Sequence, residues 1–196
     1  MMASKGTTPR GTTTEEQAAR YVRGMFGRVA HRYDLLNHML SFQIDRQWRS
    51  TTVRRVEHIL RRPNQRVMDL CCGTGDLTLA LEAAAHEKTH VFGSDFCHPM
   101  LTAARGKASK RGAVTHLFEG DALALPLADR SLDLITVAFG FRNFVNYRSG
   151  LRELGRVLKP GGMLAILEFS TPPNPVIRGL YGMYSKTILP AVGGLV

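Results

Sequence analysis

Residues 67–81, VMDLCCGTGDLTLAL, constrain the fold more than any other stretch of this chain. Val67, Met68 and Leu70 make a short apolar run suited to a parallel strand covered on both faces. Gly73 and Gly75 permit a tight turn with close backbone approach, and residues 77–81 begin a helical pattern. Strand, glycine loop and helix in succession are one half of a nucleotide-binding crossover. The expected fold is therefore α/β, with a Rossmann-like, mostly parallel sheet carrying helices on both faces.

A helix starting near Asp76 aims unpaired amides and the positive end of its dipole at whatever lies over the loop, which favours a phosphate or a carboxylate. A dinucleotide fingerprint wants a third glycine where this chain has Thr78, so the pyrophosphate reading is weakened. Asp69, at the strand end, can hold an ammonium group through the turn, directly or by water. A ligand with both ammonium and carboxylate is an amino acid, which points to S-adenosylmethionine. A second strand over residues 90–94 ends at Asp95, where a carboxylate accepts hydrogen bonds from ribose hydroxyls; that fits NAD and S-adenosylmethionine equally. A third strand over residues 114–118 leads to Gly120, Asp121 and Ala122, where a carboxylate meets an adenine amino group. Phe96 and Met100 are candidates to flank the adenine ring, with a core role the alternative.

A chain of 196 residues with 44% hydrophobic and 21% charged content suffices for one compact domain plus extensions. Its three cysteines, Cys71, Cys72 and Cys97, imply neither a disulfide framework nor a zinc pattern, and the seven histidines are scattered, so no metal is expected. Residues 1–14 lack the apolar core of a signal peptide, and no run reaches membrane-spanning length, which reads as cytoplasmic. The net charge of +10 is concentrated in residues 1–66, which hold 13 basic and 5 acidic side chains. Such a surplus favours an anionic partner. The aromatic interleaving of single-strand RNA binders is poor, which ranks an anionic membrane surface, met peripherally, above nucleic acid. A homodimer is left open.

In chain order, residues 1–14 read as a disordered tail and residues 15–62 as three amphipathic helices. These can lie across the carboxyl edge of the sheet as a lid. Tyr33 and Asp34, with Asn37 and His38, either face a substrate or cap a neighbouring helix. Residues 63–171 form the ligand-binding core. Its fourth strand, LDLITVA over residues 132–138, runs into Phe139-Gly140-Phe141-Arg142-Asn143, and a helix over residues 148–158 follows. A turn at residues 159–162 and a fifth strand over residues 163–169 close the core. Residues 172–196 form an amphipathic segment whose apolar face needs a cover.

From Val22 onward the chain resembles the C-methyltransferases of ubiquinone and menaquinone biosynthesis, within the class I S-adenosylmethionine-dependent methyltransferases. The general class is carried by Asp69, Gly73-Thr74-Gly75, Asp95, Asp121-Ala122 and Leu158-Lys159-Pro160-Gly161-Gly162. The quinone family is carried by Tyr33-Asp34-Leu35-Leu36-Asn37, Ser41, Trp48-Arg49, Cys72-Gly73-Thr74-Gly75-Asp76 and Phe139-Gly140-Phe141-Arg142-Asn143. The resemblance implies methyl transfer to a ring carbon of a polyprenylated quinol, with cofactor contacts near Thr74, Asp95 and Asp121-Ala122. On general resemblance the expected acceptor is demethylmenaquinol; the benzoquinol of ubiquinone biosynthesis and a truncated, non-catalytic cofactor-binding protein are the alternatives. The chain departs from the family at Gln43, usually glycine, at Asp45, usually histidine, and at Ala138, which is serine in some relatives. Relatives continue beyond the equivalent of Val196 with a helix and an antiparallel strand pair, so that pair is expected to be missing.

For such a transfer, a cation beside the acceptor's hydroxyl stabilises the developing phenolate, which assigns Arg142 with Asn143 to that task. Arginine stays protonated, so an oriented water, Tyr33 or Asp34 is the expected proton acceptor. Two rivals are a NAD oxidoreductase, disfavoured by Thr78, and a nucleic-acid base methyltransferase, whose usual Asn/Asp-Pro-Pro-aromatic tetrad is replaced by FGFRN.

Overall fold

The computed structural model describes residues 6–41, 43–113 and 115–170. Helices α1 (Glu15–Val29), α2 (Tyr33–Leu40) and α3 (Ile44–Leu60) come first. They are followed by β1 (Arg66–Leu70), α4 (Asp76–Ala84), β2 (His90–Asp95), α5 (His98–Lys110), β3 (His116–Glu119) and β4 (Leu132–Ala138). A 3-10 turn at Phe141–Asn143, α6 (Tyr147–Val157) and β5 (Leu158–Leu167) complete the described chain. The strands form one five-stranded sheet in the order β3-β2-β1-β4-β5, every neighbouring pair parallel. The chain direction across the sheet reverses between β1 and β4, the switch point at which open α/β sheets bind ligands beyond their strand ends.

Side chains alternate across the sheet as the pleat requires. On one face Val67 and Leu134 pack with Val56, Ile59 and Leu60 of α3 and with Leu77 and Leu81 of α4. On the other, Met68, Leu70, Ile135 and Val137 meet Leu154 and Val157 of α6. Burying each such side chain contributes roughly 1.5–3 kcal/mol, so the two faces together anchor the strand ends that carry the site.

Several boundaries differ from the sequence reading. β2 extends to Asp95, so that acid is the strand's last residue, and β3 runs to Glu119. The turn expected at residues 159–162 and the strand expected over 163–169 are one strand, β5. Leu132 pairs with Leu158 and Leu134 with Met163, so residues 159–162 bulge from the ladder, with Gly161 at φ +80°. β5 ends at Leu167, whose carbonyl accepts a bond from Phe139 N at 2.8 Å; beyond it Glu168 and Phe169 leave the sheet.

Of the tail expected to be unstructured over residues 1–14, the described part begins with two residues that pair with the loop before α6. Gly6 N donates to Val145 O at 3.2 Å and Thr7 N to Phe144 O at 2.8 Å, an approach so close that a Cβ at Gly6 would stand 2.0 Å from Phe144 O. The amphipathic segment expected over residues 172–196 lies outside the described residues.

Candidate active site

The loop between β1 and α4 is built on left-handed backbone: Cys71 at φ +56°, Gly73 at +54° and Gly75 at +83°. Gly75 also sits against α5, where a Cβ would be 3.1 Å from that of Ala104. This conformation turns Gly73 N toward Asp95, whose Oδ2 accepts it at 2.9 Å, while Oδ1 accepts Cys97 N at 2.9 Å. Burial raises the Asp95 pKa above the usual carboxylate range, against the lowering effect of these backbone bonds.

Asp69 lies deeper than an acid at a strand tip. It is 1% exposed, with Oδ2 accepting from Thr78 Oγ1 at 2.6 Å and Oδ1 from Thr136 Oγ1 at 2.8 Å. Its neighbour across β2 is Gly93, where a Cβ would come within 3.2 Å of the Thr78 methyl, so the missing side chain makes room for this pairing. Desolvation raises the Asp69 pKa to about 6. Thr78, the residue that breaks the dinucleotide fingerprint, thus fastens α4 to the sheet through Asp69.

Two adjoining cavities open above the carboxyl ends of β1, β2 and β4. The smaller, about 40 Å³, is lined by Tyr33, Gly73, Asp95 and Met100 together with Ala138 and Phe139. The larger, about 270 Å³, is lined by Glu15, Glu16 and Ala19 of α1 and by Gly120, Asp121 and Ala122 beyond β3. Cys71, Phe96, Gly140 and Asn143 line both, so the cleft is continuous. A Cβ at Gly73 would meet only the Tyr33 ring, at 3.8 Å, leaving this backbone open to a ligand. Gly140 allows the opposite wall to close in, since a Cβ there would stand 2.3 Å from Cys71 Cβ. Asp121 Oδ1 accepts Leu123 N at 2.9 Å, which holds its carboxylate at the rim.

The expected catalytic residues separate into two groups. Tyr33 and Asn143 line the smaller cavity. Burial pushes the Tyr33 phenol above its ordinary pKa of 10.0, so at neutral pH it carries its proton. Arg142 lines neither cavity. Its guanidinium is half exposed, 3.8 Å from Glu168 Oε1 and 5.0 Å above the Phe169 ring. Asp34 is held in an ion network: its Oδ1 accepts Thr74 Oγ1 at 2.5 Å, and its Oδ2 lies 2.7 Å from Lys107 Nζ. Lys107 also reaches Asp76 Oδ1 at 2.5 Å, Arg49 lies 3.3 Å from Asp76 Oδ2, and Arg49 pairs with buried Asp45. Thr74 and Gly75, expected at the cofactor, therefore face α2 and α5 instead of lining the cavities.

Sequence reasoning missed several contributors besides Glu15 and Glu16 of the larger cavity. Cys71 lines both cavities, Phe139 lines the smaller one with φ +59°, and Lys107 joins α5 to α2 and to the glycine loop. A cysteine beside the glycine turn carried a positional signal; Lys107, one of several cations on a helix, carried none. Among the described residues, no group of three or more His, Cys, Asp or Glu is placed to share a metal ion.

Comparison with known proteins gives a consistent picture. A model of the ubiE/COQ5 methyltransferase family matches residues 12–196. A demethylmenaquinone methyltransferase of Thermus thermophilus is 48% identical over 172 residues, 88% of this chain and 76% of that one. A ubiquinone/menaquinone biosynthesis C-methyltransferase of Syntrophotalea carbinolica is 44% identical over 174 residues, 89% of this chain and 72% of its own length. Among solved structures, a SAM-dependent methyltransferase from Aquifex aeolicus superposes with TM-score 0.54 at 28% identity, over 59% of this chain and 62% of the other. The YcgJ protein from Bacillus subtilis shares the fold, with TM-score 0.56 at 24% identity over 70% of this chain and 58% of its own.

Proposed function

The chain belongs to the ubiE/COQ5 methyltransferase family, and from that premise we propose that it methylates a ring carbon of demethylmenaquinol with S-adenosylmethionine as donor. The observation that carries the donor assignment is the charge of the cleft. In a chain of net charge +10, every charged side chain lining the two cavities, among the described residues, is a carboxylate: Asp95, Asp121, Glu15 and Glu16. Such a lining suits a cationic sulfonium and ammonium and opposes a pyrophosphate, which disfavours the NAD reading.

The residues fit that donor. Asp95 has lone pairs left for ribose hydroxyls, Asp121 and Ala122 stand beside the larger cavity for the adenine, and Phe96 at the junction offers a ring face. Gly73 leaves backbone accessible in the smaller cavity for the amino-acid end. When bound, the donor would supply an electrophilic methyl carbon to the acceptor's ring carbon, the C–S electron pair leaving with sulfur; the methylated carbon would then give up its own hydrogen as a proton while the ring oxygen regains one, so that one proton is released overall.

The chain's own groups align the acceptor and exclude water. Arg142, next in the chain to the cleft-lining Asn143 and with its guanidinium over Phe169, stabilises the phenolate that develops as the ring hydroxyl gives up its proton. Asn143 and the protonated Tyr33 donate hydrogen bonds within the smaller cavity. Tyr33 holds its proton and Asp34 is paired with Lys107, so the proton passes to water oriented at Arg142. Helices α1 to α3 act as the lid over the cleft. Their basic exterior approaches an anionic bilayer, from which a polyprenylated substrate is drawn; among the described residues no helix is long and apolar enough to cross a membrane.

The test offers reduced demethylmenaquinol and its benzoquinol counterpart with labelled donor and identifies products by mass spectrometry. Label in the naphthoquinol ring is expected. Label only in the benzoquinol would reassign the substrate, and label in neither ring with intact donor binding would remove the catalytic reading. Arg142→Ala should lower kcat at least a hundredfold while donor affinity stays at the wild-type value.

A further inference from the structure

The chain has a single tryptophan, Trp48, and α3 sets it among aromatic rings from two strand ends. Its centroid is 5.9 Å from that of Phe139, one residue past β4, and 5.6 Å from that of Phe169, two residues past β5, with the latter pair at 83°. Phe139 and Phe169 are themselves 4.8 Å apart, tilted by 32°. These rings are not core. Phe169 is 43% exposed, and Ile44, one helical turn before Trp48 and so on the same side of α3, is 44% exposed. Phe139 holds φ +59°, a backbone conformation uncommon for a bulky side chain and most often retained where a site uses it. Phe139 also lines the smaller cavity with Gly73 and Asp95, and the Arg142 guanidinium lies 5.0 Å over Phe169. The aromatic corner therefore joins the donor cavity on one side and a cation on the other.

We propose that Trp48 and Phe169, backed by Phe139, form the seat of the acceptor's aromatic ring and set its hydroxyl beside Arg142. This rests on the methyltransfer reading above. A flat ring with an ionisable hydroxyl at its edge matches both parts of the corner: aromatic faces stack on it in offset or edge geometry, and the guanidinium meets the oxygen. An isoprenoid tail would match only the apolar part.

Because Trp48 is the only indole, its emission reports on the seat directly. Naphthalene-1,4-diol, the reduced ring without a tail, is titrated anaerobically into the full chain bound to S-adenosylhomocysteine, with N-acetyltryptophanamide correcting for collisional quenching and absorption. Saturable quenching is expected. Phe169→Ala should weaken it tenfold or more and raise KM for the acceptor with little change in kcat, while Phe169→Tyr should restore both. Calorimetric binding of S-adenosylhomocysteine should be the same in all three proteins, which excludes a folding defect. Methyl transfer to the ring without saturable quenching, or quenching indifferent to Phe169→Ala, overturns the seat and leaves the methyltransfer reading standing. Donor binding with neither quenching nor transfer to any quinol ring overturns both.

Discussion

Lys107 on α5 and Asp34 on α2 are joined across the glycine loop, with Nζ 2.7 Å from Oδ2. The same ammonium lies 2.5 Å from Asp76 at the start of α4, so one cation ties α2, α4 and α5 together. Asp34 therefore has a positional task. Lys107→Met leaves two carboxylates facing a partly buried space, and a loss of about 1–2 kcal/mol is expected, between the exposed and buried limits for such pairs. Urea denaturation measures it. Asp34→Asn should weaken donor binding several-fold and leave kcat at saturation close to wild type. A collapse of kcat with donor affinity unchanged would instead make Asp34 an acid–base group.

Gly140 and Cys71 define how closely the two loops over the sheet can approach. A Cβ at position 140 would stand 2.3 Å from Cys71 Cβ, so Gly140→Ala must push the FGFRN loop away from the β1–α4 loop. The expected cost is about 1–3 kcal/mol of stability, with weaker donor binding. Cys71 itself occupies φ +56°, where glycine is relaxed. Cys71→Gly should then rescue Gly140→Ala in a double-mutant cycle, read by thermal melts and donor calorimetry. Additive losses would show that the clash lies elsewhere.

Much of this architecture was legible because it is local. The run from Val67 to Leu81 specifies strand, turn and helix by residue type alone, and Asp95 lies at the end of its strand because an apolar run precedes it. The cleft residues Gly73, Asp95, Phe96, Met100, Asp121 and Ala122 follow from their positions after strands. What the sequence concealed depends on contacts between distant segments. Asp69 and Thr136 meet across β1 and β4, 67 positions apart, and Thr78 completes that pairing, so the acid looks like a strand-tip ligand until the register is known. Lys107 is one cation on a helix until α2 is folded over it. The pairing of Gly6 and Thr7 with the loop before α6 was not legible because backbone hydrogen bonds carry no compositional signal.

The depth of Asp69 has a consequence for pH. Its folded pKa of about 6 exceeds the ordinary 3.8, so between these values the native state holds a proton that the unfolded chain has released. Its contribution is fully present below about pH 3.8 and is lost as pH rises through about 6, a change of about 3 kcal/mol. Asp69→Asn lacks the titration. Relative to that variant, the wild-type Tm should fall as pH is raised from about 4 to about 7, whereas carboxylates shared by both proteins cancel in the difference. Parallel Tm curves would show that Asp69 does not titrate in this window.

Tyr33 gives the sharpest test of where the quinol's proton goes. Its ring stands 3.8 Å from the Cβ position of Gly73 and lines the smaller cavity, where the proposed reaction offers it the part of hydrogen-bond donor or of base. A base needs a pKa near the working pH, and burial moves this phenol the other way, above 10.0, against the lowering influence of Asn37 and Arg142. On the proposed reading Tyr33 is accordingly a donor that keeps its proton through the reaction. Tyr33→Phe removes one hydrogen bond in the transition state, and a loss of about tenfold in kcat/KM is expected, equivalent to about 1.4 kcal/mol. The wild-type and variant pH–rate profiles from about pH 6 to 9 should then run parallel, offset by that factor. If the phenolate were the acceptor, the wild-type rate would climb with pH toward the alkaline end and the variant would lose that limb, an outcome that would return the proton-transfer role to Tyr33.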